Sequence, residues 1–99
     1  MVIIMYIFYD AYEKKAYINK WNNKPIKDKN MSFVKALEMA LKWGVAFQYD
    51  SGVEDWEFEE ARKMLEEHEI FYLNDKYDVG KAIRLLSAYN RGRWNGVWI

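Results

Sequence analysis

The stretch VIIMYIFY (residues 2–9), together with the segment KAYINKW (residues 15–21) that follows it, decides the fold. Residues 2–9 are apolar at odd and even positions alike, as in a strand that is covered on both faces. Residues 15–21 alternate more loosely between apolar and polar side chains, and the polar turn 10–14 separates the two segments. Together they predict an N-terminal β-hairpin. The apolar run is too short for a membrane span, which needs about 20 residues, and it lacks the basic start of a signal peptide.

The middle of the chain predicts a loop, a helix and a strand. Residues 22–30 (NNKPIKDKN) are linker-like because Pro25 and three asparagines interrupt any regular pattern, so we expect a loop within one domain. A helix is predicted from about Met31 to Trp43, with Ser32 or Asn30 as its N-cap and Gly44 as its left-handed end. Residues 45–49 (VAFQY) are typical of a strand.

The C-terminal half predicts two more helices. Residues 51–54 (SGVE) have the form of a capping box, in which Ser and Glu satisfy each other's exposed N–H, and the helix is expected to reach about His68. Residues 70–73 resemble a short strand. A third helix is expected to start at Asp75 or Asp78 and to end at Gly92, with an apolar stripe formed by Val79, Ala82, Ile83, Leu86 and Tyr89.

This order of elements predicts one α+β domain that spans residues 1–99. The hairpin is expected to lie in an antiparallel or mixed sheet, with about three helices packed on it. The length suits a single core, and a composition of 52% hydrophobic and 30% charged residues is that of a globular protein. With no cysteine, disulfides, zinc fingers, iron–sulfur clusters and thiol nucleophiles are excluded, and a cytoplasmic location is expected.

The charge is zero overall but unevenly distributed. Residues 1–49 carry a net charge of +4, residues 50–69 a net charge of −7, and residues 70–99 a net charge of +3. Proteins that coat nucleic acid usually have a basic balance, so the whole-chain charge argues mildly against that class. A local basic face remains compatible with it.

The single histidine and the acidic run have structural interpretations as well as chemical ones. His68 is a candidate general base or metal ligand, but no second histidine or HExxH motif accompanies it. Helical projection places it on the apolar stripe of its helix with Phe58, Ala61 and Leu65, and a histidine near the C-terminus of a helix is also stabilised by the dipole, so a structural role is favoured. The acidic run 54–60 lacks the spacing of a calcium loop, and acidic residues suit the first turn of a helix. Glu57 projects onto the apolar stripe. No metal site and no cofactor are predicted.

Aromatic side chains are the most informative feature. Eighteen rings, five of them tryptophan and eight tyrosine, are many for a core of this size. Trp56 projects away from the apolar face of its helix, so amphipathic packing does not account for it. The residues that follow Gly92, including Trp94 and Trp98, are expected to dock on the sheet or on a partner. The candidate partner-binding residues are Trp21, Trp56, Glu59, Glu60, Trp94 and Trp98.

A second set of residues is basic. Lysines are concentrated in the predicted loop, and Lys81, Arg84 and Arg91 share one face of the third helix. Cations that follow phosphates beside rings that stack on bases are typical of single-stranded nucleic-acid binding. The candidate nucleic-acid-binding residues are Lys20, Lys24, Lys27, Lys81, Arg84, Arg91 and Arg93.

These observations favour a small non-catalytic binding module for a protein partner or for self-association, such as an accessory or inhibitor protein of a mobile element. Tyrosine and tryptophan are enriched at such interfaces, and the opposed charge blocks can steer an encounter. The alternatives are a single-stranded nucleic-acid-binding protein and a small enzyme whose site is assembled only in three dimensions. No grouping of nucleophile, base and orienting residue is visible in the sequence.

Overall fold

The fold is an α+β domain in a computed structural model that describes residues 5–20, 25–68 and 76–96. Four strands and three helices are present in the described part. In chain order they are β1 (Met5–Asp10), β2 (Lys15–Lys20), β3 (Pro25–Asn30), α1 (Phe33–Trp43), β4 (Ala46–Tyr49), α2 (Asp55–Glu67) and α3 (Lys76–Gly96).

The strands form one mixed sheet in the order β3–β2–β1–β4. β1 and β2 pair antiparallel around the turn at residues 11–14, which confirms the predicted hairpin. β4 pairs parallel to β1 on the other side, with Tyr9 opposite Tyr49. The carboxyl ends of β1 and β4 therefore meet at the same end of the sheet, and the chain continues there into the hairpin turn and into α2.

One face of the sheet carries the core. Strand alternation turns Ile7, Tyr9 and Phe47 toward the helices, where all three are buried. Phe33 of α1 lies at the centre of an aromatic cluster, with ring centroids 5.3–5.7 Å from those of four other rings, which belong to Tyr9, Phe47, Tyr49 and Phe58. Most of these pairs are edge-on, the geometry that the ring quadrupole favours.

The outer edge of β4 is covered by α3 through specific hydrogen bonds. The hydroxyl of Ser87 accepts from the backbone N–H of Phe47 and donates to the carbonyl of the same residue, each at 2.9 Å. The amide of Asn90, one turn further along α3, donates to the carbonyl of Val45 at 3.1 Å. Polar groups that an edge strand would leave unpaired are thus satisfied by side chains.

Two predictions about secondary structure are wrong, one for the segment 22–30 and one for the end of α3. The expected loop at residues 22–30 contains β3, because an edge strand tolerates lysines in its middle and a proline as its first residue. The third helix does not end at Gly92 but continues to Gly96, since a glycine inside a helix costs only about 1 kcal/mol. Tyr89, predicted to be buried, is 66% exposed.

The helix ends agree only in part with the sequence. Ser32 caps α1 through its hydroxyl, which accepts from the N–H of Lys35, and Gly44 adopts the left-handed conformation at φ 67°. The capping box of α2 is formed by Glu54 and Glu57 and not by Ser51 and Glu54, so that helix begins later than predicted. The strand predicted at residues 70–73 lies outside the described residues, as do residues 97–99.

Candidate functional site

A cleft opens at the end of the sheet where β1 and β4 finish. Three segments form its walls, namely the β1–β2 turn, the junction between β3 and α1, and the first turn of α2. Its volume is about 560 Å³, and it is open to the surface on one side. We call it the acidic cleft, and it is lined by Tyr9, Glu13, Lys14, Ser32, Trp56 and Glu57, together with Asn30 and Met31.

Backbone and side-chain bonds hold the three walls together. The N–H of Met31 donates to the carbonyl of Lys14 at 3.1 Å, which joins the start of α1 to the hairpin turn. Lys14 has a left-handed backbone, with φ 57°, and its ammonium contacts Glu57 of α2. The carboxylate of Asp50 accepts from the N–H of Ala11 and from that of Gly52, so it links the ends of β1 and β4.

Glu57 is a buried carboxylate, only 2% exposed, in the first turn of α2. One oxygen accepts from the N–H of Glu54 at 2.8 Å, and the other accepts from the ammonium of Lys14 at 3.1 Å. The helix dipole and the lysine together offset the cost of removing this charge from water. Its projection onto the apolar stripe, noted in the sequence, therefore reflects burial with a charge partner.

Tyr9 contributes the buried wall of the cleft. The residue is fully buried, and within the described part of the chain its hydroxyl has no hydrogen-bond partner. Burial, and then the negative charges of Glu57, Asp50 and Asp10, raise the pKa of Tyr9 to about 12. The phenol is protonated at neutral pH, as an ordinary tyrosine is, and the raised pKa extends the protonated range to higher pH.

Trp56 stands at the mouth of the cleft with 54% of its surface exposed. Its indole N–H donates to the carboxylate of Glu54, which fixes the direction of the ring. The exposure agrees with the helical projection, which placed this residue off the apolar face. Glu59 and Glu60, the other predicted partner-binding residues of α2, do not line the cleft. Glu59 is paired with Arg62 at 3.1 Å, and Glu60 is exposed.

The side chains of the remaining predicted partner-binding residues, and of several predicted nucleic-acid-binding residues, lie outside the described part of the structure. Trp21 and Trp98 lie outside the described residues. Trp94 lies within α3, but its side chain is outside the described part, as are the side chains of Lys20, Arg91 and Arg93, whereas Lys24 is outside it altogether.

His68 does not pack on the apolar stripe as predicted, but it lies at the C-terminal end of its helix, where a structural role was also expected. The residue is the C-cap of α2, and its side chain is 51% exposed, with its Nε2 3.6 Å from a carboxylate oxygen of Glu38. The helix ends at this point, so the apolar stripe of Ala61 and Leu65 stops one turn before it. A pair of exposed side chains of this kind contributes little to stability.

The face of the sheet turned away from the helices is also aromatic. Tyr6, Phe8, Tyr17, Asn19 and Gln48 line a shallow cleft of about 320 Å³ on it, which we call the sheet-face cleft. Phe8 and Gln48 also line a neighbouring cleft of about 450 Å³ together with Arg84 of α3. Arg84 and Lys81 are exposed, as is Lys27 of β3.

The acidic cleft is lined by carboxylate, ammonium, hydroxyl, amide and aromatic groups and by one thioether. Among the described lining residues there is no cysteine or histidine, the phenol of Tyr9 is held protonated, and the ammonium of Lys14 is paired. No group of three or more potential metal-ligating side chains is positioned for an ion in the described part of the chain. Within those residues, none of the helices has the length and apolar character needed to cross a membrane.

Comparison of the chain with protein family models, with curated proteins and with solved structures gives no match in any of the three.

Proposed function

We propose that this protein is a non-catalytic binding module that docks on another protein through Trp56 and the acidic cleft. The observation that carries the proposal is the indole of Trp56, 54% exposed and fixed by a hydrogen bond at the mouth of a cleft of about 560 Å³. Tryptophan is enriched among the residues that dominate binding energy at protein interfaces, where it fills a pocket of the partner.

The charge around Trp56 supports a basic partner surface. Glu54, Asp55 and Glu57 lie within one turn of it on α2, and residues 50–69 carry a net charge of −7. Complementary charge speeds the encounter and rejects acidic partners. The mechanism is occlusion, in which the ring enters a pocket on the partner while the carboxylates of α2 pair with basic side chains.

The test compares two tryptophans in affinity capture from the native host. Trp56→Ala is expected to abolish capture of the partner while the melting temperature changes little, because the ring is exposed. Trp43→Ala is the matched control, since Trp43 is 45% exposed at the opposite end of α1 from the cleft. Equal capture by wild type and Trp56→Ala would refute the proposal, and a fall of many degrees in melting temperature would assign Trp56 to the core.

Self-association is the form of this proposal in which the partner is a second copy. The acidic region 50–69 and the basic regions on either side of it are the surfaces such copies would bring together. Size-exclusion chromatography with light scattering, at low and high salt, tests it. A monomer under both conditions removes this form and leaves the protein-partner form intact.

Single-stranded nucleic-acid binding is a second candidate function, favoured by a different observation. Arg84 lines the same cleft as Phe8 and Gln48, so a cation lies beside the aromatic side of the sheet. Rings on a sheet can stack on bases while arginine contacts phosphates. Titration with single-stranded DNA and RNA at increasing salt tests it, with Arg84→Gln expected to weaken binding. No binding at low salt would remove it.

A further inference from the structure

The acidic cleft holds a polar atom whose hydrogen bonds are unmade. The hydroxyl of Tyr9 is buried and has no hydrogen-bond partner among the described residues, although Tyr9 lines a cleft. A buried polar group without a partner costs about 1–3 kcal/mol, so such groups in folded proteins call for an explanation. A ligand that brings a hydrogen-bond donor or acceptor into the cleft would remove this cost.

The charges around the cleft determine whether a cation or an anion is favoured there. Glu13 and Glu57 line it, and Asp10 and Asp50 act on Tyr9 from the strand ends. Lys14 is the cation among the described lining residues, and Glu57 already neutralises it. The start of α1 adds a partial positive charge, but the Ser32 side chain caps one of its N–H groups. The balance favours a cation.

The wall at the mouth suits a flat cation in particular. The indole of Trp56 is exposed and is held by the carboxylate of Glu54. A guanidinium stacks on an indole face and presents five N–H donors in one plane, whereas an ammonium is a more strongly hydrated point charge. Stacking on Trp56 leaves the edges of a guanidinium free to donate to oxygen atoms.

We propose that the acidic cleft is a receptor for one arginine side chain of the partner, stacked on Trp56 and donating to the hydroxyl oxygen of Tyr9 and to Glu57. The inference rests on the proposed function and names the group recognised by the same site. In the unbound protein the ammonium of Lys14 occupies the place of the arriving cation on Glu57. Lys14 is about half exposed, and we include in the proposal a change of its rotamer that lets the arriving cation reach Glu57 and Tyr9.

The experiment uses small probes and follows the indole N–H of Trp56 by two-dimensional NMR. N-acetyl-arginine amide is expected to shift this signal in a saturable way. N-acetyl-citrulline amide, which has the same shape but no charge, is expected to bind at least about tenfold more weakly, the factor that 1.4 kcal/mol represents. Equal binding of the two probes, or no saturable shift with arginine, would overturn the inference.

Variants of the cleft separate a cation receptor from an anion receptor. Lys14→Gln removes the ammonium that competes with arginine for Glu57, so the affinity for the arginine probe is expected to rise severalfold. If the cleft instead bound anions, the same substitution would lower its affinity for an anion. Tyr9→Phe removes only the hydroxyl and is expected to weaken arginine binding about tenfold. Trp43→Ala, remote from the cleft, is expected to leave it unchanged. Weaker arginine binding in Lys14→Gln at unchanged melting temperature would overturn the inference, and if Lys14→Gln fails to fold, the Tyr9→Phe comparison decides.

The failure of this inference is distinguishable from the failure of the proposed function. Loss of partner capture in Trp56→Ala without any arginine binding would refute the arginine receptor and keep the docking surface. Arginine binding with partner capture that does not depend on Trp56 would refute the docking surface. Binding of a single-stranded RNA probe that displaces arginine from the cleft would overturn the inference, because an acidic cleft repels phosphates.

Discussion

Replacing Tyr9 by phenylalanine is expected to make the protein more stable. The ring of Tyr9 is fully buried and packs edge-on against Phe33 at a centroid distance of 5.6 Å, and phenylalanine keeps that contact. The substitution removes only the hydroxyl, for which the described residues 5–20, 25–68 and 76–96 offer no hydrogen-bond partner. An unpaired buried group costs about 1–3 kcal/mol. The void left behind is smaller than a methyl group, and its cost is at most about 1 kcal/mol.

The net change is therefore a gain of about 1 kcal/mol in the free energy of unfolding. For a domain of this size that corresponds to a rise in melting temperature of roughly 4–8 °C. Urea unfolding followed by circular dichroism measures the first quantity, and calorimetry the second. Tyr49→Phe is the control, because Tyr49 belongs to the same ring cluster but is only half-buried. It is expected to change stability by less than about 0.5 kcal/mol.

The same pair of proteins provides a pH test. The pKa of Tyr9 is raised from 10.0 to about 12 in the folded protein, mainly by burial. As pH rises, the unfolded chain therefore loses this proton first. The free energy of unfolding of the wild type is unaffected by this group below pH 10 and falls as pH rises from 10 toward 12. Wild type is expected to lose more stability over that interval than Tyr9→Phe. A Tyr9→Phe protein that is less stable than wild type by 1 kcal/mol or more, with no difference in pH dependence, would refute the reasoning.

Three further predictions concern stability measured by denaturant unfolding. Ser87→Ala is expected to lower the free energy of unfolding by about 1–3 kcal/mol, because the backbone N–H and carbonyl of Phe47 at the edge of β4 both lose their partner. Leu85→Ala is the control on the same helix, and since Leu85 is 62% exposed, its cost is expected to be less than about 0.5 kcal/mol. Gly44→Ala is expected to cost about 1 kcal/mol because φ is 67°; no loss would show that α1 can end differently. Glu57→Gln is expected to cost about 1–3 kcal/mol through its charged hydrogen bonds, and a neutral result would mean that the buried carboxylate adds no net stability.

Elements with strong local signals were predictable from the sequence. The hairpin of β1 and β2 follows from two apolar segments around a polar turn, and α1 follows from its serine cap and Gly44. β3 was not predictable, because a strand with Pro25 and two central lysines has no apolar alternation, and only its position at the edge of the sheet makes it a strand. The continuation of α3 past Gly92 was likewise not predictable, because a glycine at that place is a local signal for the end of a helix.

The candidate site was predictable at Trp56 and in part at Glu57. A ring that projects off the apolar face of its helix is a signal that a single sequence carries. Lys14 and Tyr9 carry no such signal, because their roles depend on bringing the hairpin turn against α2, more than 40 residues away in the chain. Glu57 offered a partial signal, since a carboxylate on an apolar stripe implies a buried charge that requires a cation.

The cover that α3 places over β4 has a consequence for the order of events during synthesis. Phe47 is separated by 40 residues from Ser87, so β4 leaves the ribosome well before its cover is made. At usual rates of translation the interval is about 2–8 s. During that time the outer edge of β4 can accept a strand from another nascent chain. Slower translation between residues 47 and 87 would thus increase cross-chain pairing, and faster translation would suppress it.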